Sequence, residues 1–184
     1  MFVHLNRLRP GRLLEVGDVL GPFLATTGFT VETIDLWPRK TPATGVWKAL
    51  AQDIRLLETS ERYDAAVSIS TLEHIGMGHY GDTCDPLGDR RSIEAVRAAL
   101  KPGGRFLVTV PLGQESNESW QRLYSIPRIV DLFAGFTLRK IEIYQYRWLS
   151  WRRAREGASL DPRTLGPVSP EVTCIALVDA EKLR

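Results

Sequence analysis

Two histidines five residues apart, His74 and His79, follow directly on a short apolar run, Ala65 to Ser70. An imidazole exchanges a proton close to neutral pH, so either ring suits the work of a general base on a hydroxyl group. The plainer reading is a hydrogen-bonded histidine holding a turn. The third histidine, His4, lies near the start of the chain. Beyond His79 come Asp82, Asp85 and Asp89 within eight residues, a set of oxygen donors of the kind that Mg²⁺ or Ca²⁺ takes. Turn chemistry is the stronger reading, because Asp beside Gly or Pro favours turns and Asp89 reads as the N-cap of a helix. No metal is therefore assigned. Near the other end, RWLSWRRAR interleaves Arg147, Arg152, Arg153 and Arg155 with Trp148 and Trp151. Such a cluster suits an anionic ligand such as a nucleotide-sugar or a lipid phosphate, or nucleic acid through stacking and phosphate contacts. The bland alternative is a solvated arm with its tryptophans packed on a sheet.

The elements that must position these residues alternate between strand-like and helix-like runs, the pattern of an α/β fold. Arg12 to Val16 reads as strand one, ending at Gly17. Phe29 to Leu36 alternates with period two as strand two. Between them Leu20 to Thr27 holds at most two helical turns, closed by Gly28 in the left-handed position. Pro38, Pro42 and Gly45 keep residues 37 to 47 from forming a long helix. Ala65 to Ser70 is the next buried strand. Residues 90 to 100 then form a helix with Ile93, Val96 and Leu100 on one face, and Arg105 to Val110 a further buried strand. Trp120 to Phe133 reads as an amphipathic helix interrupted at Pro127. Thr137 to Tyr146 and Val172 to Val178 read as two strands that pair antiparallel, with a long flap over residues 147 to 170 between them.

Three segments carry a family likeness: LLEVGDVLG after strand one, SISTLEHIG after the buried strand that follows, and LKPGGRFLVTVP leading into the next. Together they resemble a class I S-adenosylmethionine-dependent methyltransferase, in particular a short subgroup with a degenerate glycine motif. The likeness covers residues 12 to 111. It implies a Rossmann-like three-layer sandwich, a mostly parallel sheet of about seven strands with a C-terminal antiparallel hairpin, and a cofactor at the carboxyl ends of the strands. By the family pattern Glu15 and Gly17 serve the methionine end of S-adenosylmethionine, and Gly21 matches the last motif glycine. Val19 stands where the middle glycine belongs and narrows the space there. Asp35 matches the acid that accepts the ribose hydroxyls, and Asp53 with Ile54 matches the pair at the adenine. Ser70 and Leu72 complete the expected cofactor set. LEH lies where methyl acceptors approach, which makes His74 or His79 the expected base for transfer to oxygen, with the segment from Pro111 to Trp120 as its roof.

Composition bounds the rest. With 43% hydrophobic and 25% charged residues among 184, the chain holds enough apolar side chains for one core, so a single domain over 1 to 184 is expected. A net charge of +2 excludes the strong basic field of a general nucleic-acid coat, and nucleic acid is not the expected partner. Cys84 and Cys174 form no C-x-x-C pair, which favours a reducing compartment and a cytoplasmic location. The uncharged stretch from Val19 to Val31 is too short and too broken by Gly21, Pro22 and Gly28 to cross a membrane, and the opening residues lack the apolar run of a signal peptide. The expectation is a methyltransferase acting on a hydroxyl of a small molecule, a sugar or a secondary metabolite. Its rivals are a non-catalytic subunit of the same fold and a binding module for anionic ligands. The sequence admits a homodimer or a partner subunit.

Overall fold

The structure, a computed structural model, describes residues 2–40, 45–117, 120–147, 150–154 and 174–183. Eight strands form one sheet: β1 (Arg12–Val16), β2 (Thr30–Asp35), β3 (Trp47–Ala51), β4 (Tyr63–Ile69), β5 (Leu100–Pro111), β6 (Phe136–Arg147), β7 (Ser150–Arg153) and β8 (Cys174–Lys182). Their order is β3-β2-β1-β4-β5-β8-β6-β7. The first five run parallel. The other three pair antiparallel, with β8 inserted between β5 and β6, so the expected hairpin strands do meet. Strand order reverses between β1 and β4, and a parallel sheet opens a crevice at the carboxyl ends of its strands at such a point.

Period-two alternation sorts the side chains onto the two faces. Leu14, Ala66, Phe106 and Val108 pack with Ile93 and Val96 of α3 (Gly88–Ala99) and with Ile129 and Leu132 of α4 (Ile126–Leu132). Leu13, Ala65, Val67 and Leu107 face the other way, against Leu5 of α1 (Phe2–Leu5) and Leu24 of α2 (Gly21–Leu24). Gly28 follows α2 and a short 3₁₀ turn with φ of 85°, the left-handed geometry read from the sequence.

Several local expectations change. β3 was not foreseen, because WKALA is short and half exposed; what fixes it is Trp47, buried and donating from its indole nitrogen to Thr33 Oγ1 at 2.9 Å. The helix expected over Trp120 to Phe133 is confined to α4, which Ser125 caps by accepting from the Arg128 N–H. Asp89 is not an N-cap. It lies inside the first turn of α3, whose cap is Leu87, and its buried carboxylate instead accepts from Tyr124 and Arg128 at 3.2 and 3.0 Å. Part of the expected flap is the edge strand β7; residues 155 to 170 lie outside the described part. Among the described residues no helix is long and apolar enough to cross a membrane.

The antiparallel end of the sheet is pinned by charge. Glu142 of β6 is buried and accepts from His4 at 3.0 Å, Arg153 at 3.0 Å, Lys140 at 2.6 Å and Tyr144 at 3.1 Å. Burial pushes its pKa up, but hydrogen bonds from Lys140, His4 and Tyr144 outweigh that and hold it at about 2, against an ordinary 4.5. A lowered carboxyl pKa adds stability above the unfolded value that is lost as pH falls toward the folded one. Glu142→Gln is therefore expected to lower stability by about 2 to 3 kcal/mol at pH 7 and by much less at pH 3. Urea midpoints at the two pH values check this, and an equal deficit at both would contradict it.

Candidate active site

The turn after β1 is built around two carboxylates. Glu15 is buried, with its oxygens accepting from the Leu20 N–H at 2.6 Å and the Thr33 hydroxyl at 2.7 Å; burial raises its pKa, partly opposed by those hydrogen bonds. It holds the loop from below and does not line the crevice. Gly17 turns the chain at φ of 84°, and a Cβ there would sit 2.2 Å from Thr71 Oγ1, so only glycine lets the ends of β1 and β4 meet. Asp35, at the end of β2, accepts from the Asp18 N–H at 3.0 Å and the Trp37 N–H at 2.7 Å, which leaves each oxygen a further lone pair.

These ends enclose a first cavity of about 250 Å³, lined by Gly17, Asp35, Asp53, Ile54, Ser70 and His74 among others. Six of the residues expected from the sequence are thus brought together. Asp53 caps the short 3₁₀ turn Ile54–Leu56. Burial raises its pKa, but hydrogen bonds from Arg55 prevail and keep it low. Gly21 faces elsewhere: a Cβ there would lie 2.5 Å from the Trp47 ring, so its smallness serves packing. Leu72 lies in the core. Val19 is 47% exposed and lines neither cavity, so the side chain in the middle-glycine position leaves the space clear. Trp37, Tyr80 and Asp82 also line this cavity.

A second cavity of about 520 Å³ lies on the other side of His74, walled by Ser70, Glu73, Thr109, Trp120, Tyr144 and Trp151 with apolar neighbours. Pro111 and Trp120, the ends of the expected roof, both border it. Ser70 and His74 belong to both cavities. Ser70 has φ of 44°, a left-handed conformation that costs a non-glycine residue of order 1 kcal/mol or more. The ring of His74 stacks on Trp120 with centroids 4.8 Å apart and meets Tyr80 edge-on at 5.2 Å. Its Nδ1 lies 3.0 Å from the Trp120 carbonyl oxygen. A carbonyl only accepts, so Nδ1 carries the proton and Nε2 keeps its lone pair. Burial pulls the pKa of His74 below 6.5, and the ring is neutral at pH 7. His79 is exposed and lines neither cavity.

The acidic loop is committed to structure. Asp82 accepts from the N–H groups of Gly76 and Gly78, and Asp85 pairs with Arg55 and Arg91 at 3.4 and 3.0 Å. Among the described residues no group of three or more His, Cys, Asp or Glu is placed to hold a metal ion. Of the Arg-Trp cluster, Arg153 pairs with Glu142, and Trp151 packs against Tyr146 and turns toward the second cavity. Arg122 was not foreseen. It is buried, donates to the carbonyls of Ile75 and Asp85 at 2.6 and 3.0 Å, and so fastens the turn carrying His74. Glu73 was also missed, hidden inside a motif read for its histidine.

A family model described as Caenorhabditis protein of unknown function, DUF268, matches residues 49–147. No curated protein matches the chain. Solved structures do. The 1,6-didemethyltoxoflavin-N1-methyltransferase of Burkholderia thailandensis, bound to 1,6-didemethyltoxoflavin and S-adenosylhomocysteine, is 18% identical with a TM-score of 0.66, over 99% of this chain and 74% of that one. The N-methyltransferase NodS of Bradyrhizobium japonicum WM9, in complex with S-adenosylhomocysteine, is 18% identical with a TM-score of 0.62, over 95% and 79%. A chain from the complex of the Haloferax volcanii Trm112 methyltransferase activator is 15% identical with a TM-score of 0.63, over 100% and 89%. The fold is that of the class I S-adenosylmethionine-dependent methyltransferases.

Proposed function

The chain belongs to the DUF268 family, and from its methyltransferase fold and paired cavities we propose that it is an S-adenosylmethionine-dependent methyltransferase acting on a small molecule. The observation that carries this is His74, which stands between the two cavities with a lone pair free on Nε2. The donor set of the first cavity fits the cofactor. Asp35 at the end of β2 offers acceptors for a ribose diol, Gln52, Asp53 and Ile54 offer polar and apolar contacts for an adenine, and the carboxylates of Asp35 and Asp82 favour a cationic ligand, that of Asp53 being paired with Arg55. Gly17 and Ser70 provide the close backbone, while Glu15, Gly21 and Leu72 act behind them by shaping the loop and the wall. S-adenosylmethionine, when bound, supplies a methyl group on a sulfonium that an acceptor displaces in line. His74 takes the acceptor's proton at Nε2, while the Trp120 carbonyl keeps the ring oriented. The likeness to LEH-bearing methyltransferases supports a hydroxyl on a small molecule, a sugar or a secondary metabolite, as the first acceptor to test; His79 is the alternative base.

Calorimetric titration with S-adenosylmethionine and S-adenosylhomocysteine tests the donor site. Micromolar binding is expected, weakened at least about 100-fold in Asp35→Ala with the fold retained by circular dichroism. No binding of either ligand at millimolar concentration would overturn the enzyme reading. A second reading, a chain that works only with a partner subunit, draws support from the neighbour that occurs in complex with a methyltransferase activator, and failure of the titration would favour it.

A further inference from the structure

The second cavity holds a group that none of the steps above uses. Glu73 is 2% exposed and lines that cavity. Its Oε2 has no hydrogen-bond partner among the described residues, and its Oε1 lies 3.9 Å from Nε2 of His74. Orphaned buried oxygens are rare in native structures and call for a physical reason. The neighbourhood supplies one. Trp120, Tyr144 and Trp151 line the same space, and among its described lining residues there is neither Lys nor Arg. A carboxyl with no Lys or Arg ion pair among the described residues, in a cavity lined by aromatic rings, is complementary to an ammonium group. The ring faces attract the cation and the carboxylate accepts a charge-assisted hydrogen bond from it.

We propose that the second cavity binds a small amine with Glu73 as its counter-ion, so that the methyl acceptor is nitrogen. This rests on the methyl-transfer reading above and replaces the hydroxyl by an amine. Without a ligand, burial holds the carboxyl protonated at neutral pH, with its pKa pushed up to about 8. An entering ammonium displaces that proton to solvent, and the net charge of the cavity is unchanged. Before transfer the ammonium gives one proton to Nε2 of His74. The freed nitrogen lone pair forms the N–C bond, the C–S bond breaks, and its electron pair stays on sulfur. The cavity volume of about 520 Å³ suits a molecule of one or two rings.

Matched probes test this without turnover. The full chain is titrated at pH 7 with 2-phenylethylamine and tryptamine, and with the corresponding alcohols 2-phenylethanol and tryptophol, in two buffers of different ionisation enthalpy. Expected are amine binding at least about ten-fold tighter than alcohol binding and release of about one proton per amine and none per alcohol. Glu73→Gln is expected to abolish both the preference and the proton release. Equal binding of amine and alcohol, absence of proton release, no amine binding up to millimolar concentration, or a preference that survives in Glu73→Gln would each overturn the proposal. The donor titration is read separately. Amine binding without donor binding refutes the transfer reading alone, and donor binding without amine binding refutes only the amine site.

Discussion

Glu73→Gln is expected to make the protein more stable at neutral pH, by about 2 to 3 kcal/mol. Burial raises the pKa of this carboxyl from 4.5 to about 8. In the unfolded chain it releases its proton near pH 4.5, whereas the folded chain keeps it. The folded state therefore binds more protons over this range, and stability is fully present below the unfolded pKa and falls as pH rises toward 8. Glutamine has the same shape and no charge to suppress, so the variant escapes this cost. The measurement is the urea midpoint of both proteins at pH 5, 7 and 8.5, at constant ionic strength. The gap should be small at pH 5 and widen with pH; a gap independent of pH, or a less stable variant at pH 8.5, would mean that Glu73 ionises freely in the fold. A gain in stability together with a loss of amine binding is the trade-off expected of a functional group kept against its energetic interest.

That carboxyl also marks where sequence reading stops. Strands β1, β2, β4 and β5 were legible because their alternation and apolar runs reflect burial on two faces, and the glycine turn and Asp35 follow from the ends of those strands. Six expected residues meet in one cavity because a parallel sheet brings the ends of successive strands to one edge. Edge and loop features were harder. β3 depends on the Trp47 hydrogen bond to Thr33, a contact between separate strands, and α4 starts late because Ser125 caps its N-terminus while the preceding residues bridge to the segment after β5. Asp89 has the residue type and position of a cap, but Tyr124 and Arg128, distant in sequence, claim its carboxylate. Gly21 matches a motif glycine and yet makes room for Trp47. The difference between a paired and an orphaned acid is likewise a fact about neighbours. No local signal in SISTLEHIG separates Glu73, sealed and unpartnered, from the acids of the following loop, which are satisfied by backbone N–H groups and arginines.

The same neighbours fix what His74 is able to do, and its replacement carries the second large expected effect. His74→Ala should lower the rate of methyl transfer to the best acceptor by about 10² to 10⁴-fold, the range for loss of a positioned base, with donor affinity changed far less. The argument is geometric. Because the Trp120 carbonyl accepts a hydrogen bond from Nδ1–H, the ring has one orientation and one basic nitrogen, and stacking on Trp120 resists its rotation. Burial lowers the pKa, so less of the ring is protonated as pH falls through 6.5 than for a free imidazole. The acid limb of the wild-type profile is therefore expected to lie at lower pH than a free imidazole would give. A structural histidine would behave differently. His74→Gln retains a side-chain N–H donor for the Trp120 carbonyl but offers no imidazole base. If the role of His74 were to hold the roof, His74→Gln should recover the rate while His74→Ala does not. If its role is proton transfer, both variants are slow and both lose the acid limb of the pH profile. Parallel recovery of rate and thermal stability in His74→Gln would move the base elsewhere, with His79 on the exposed loop the next residue to replace.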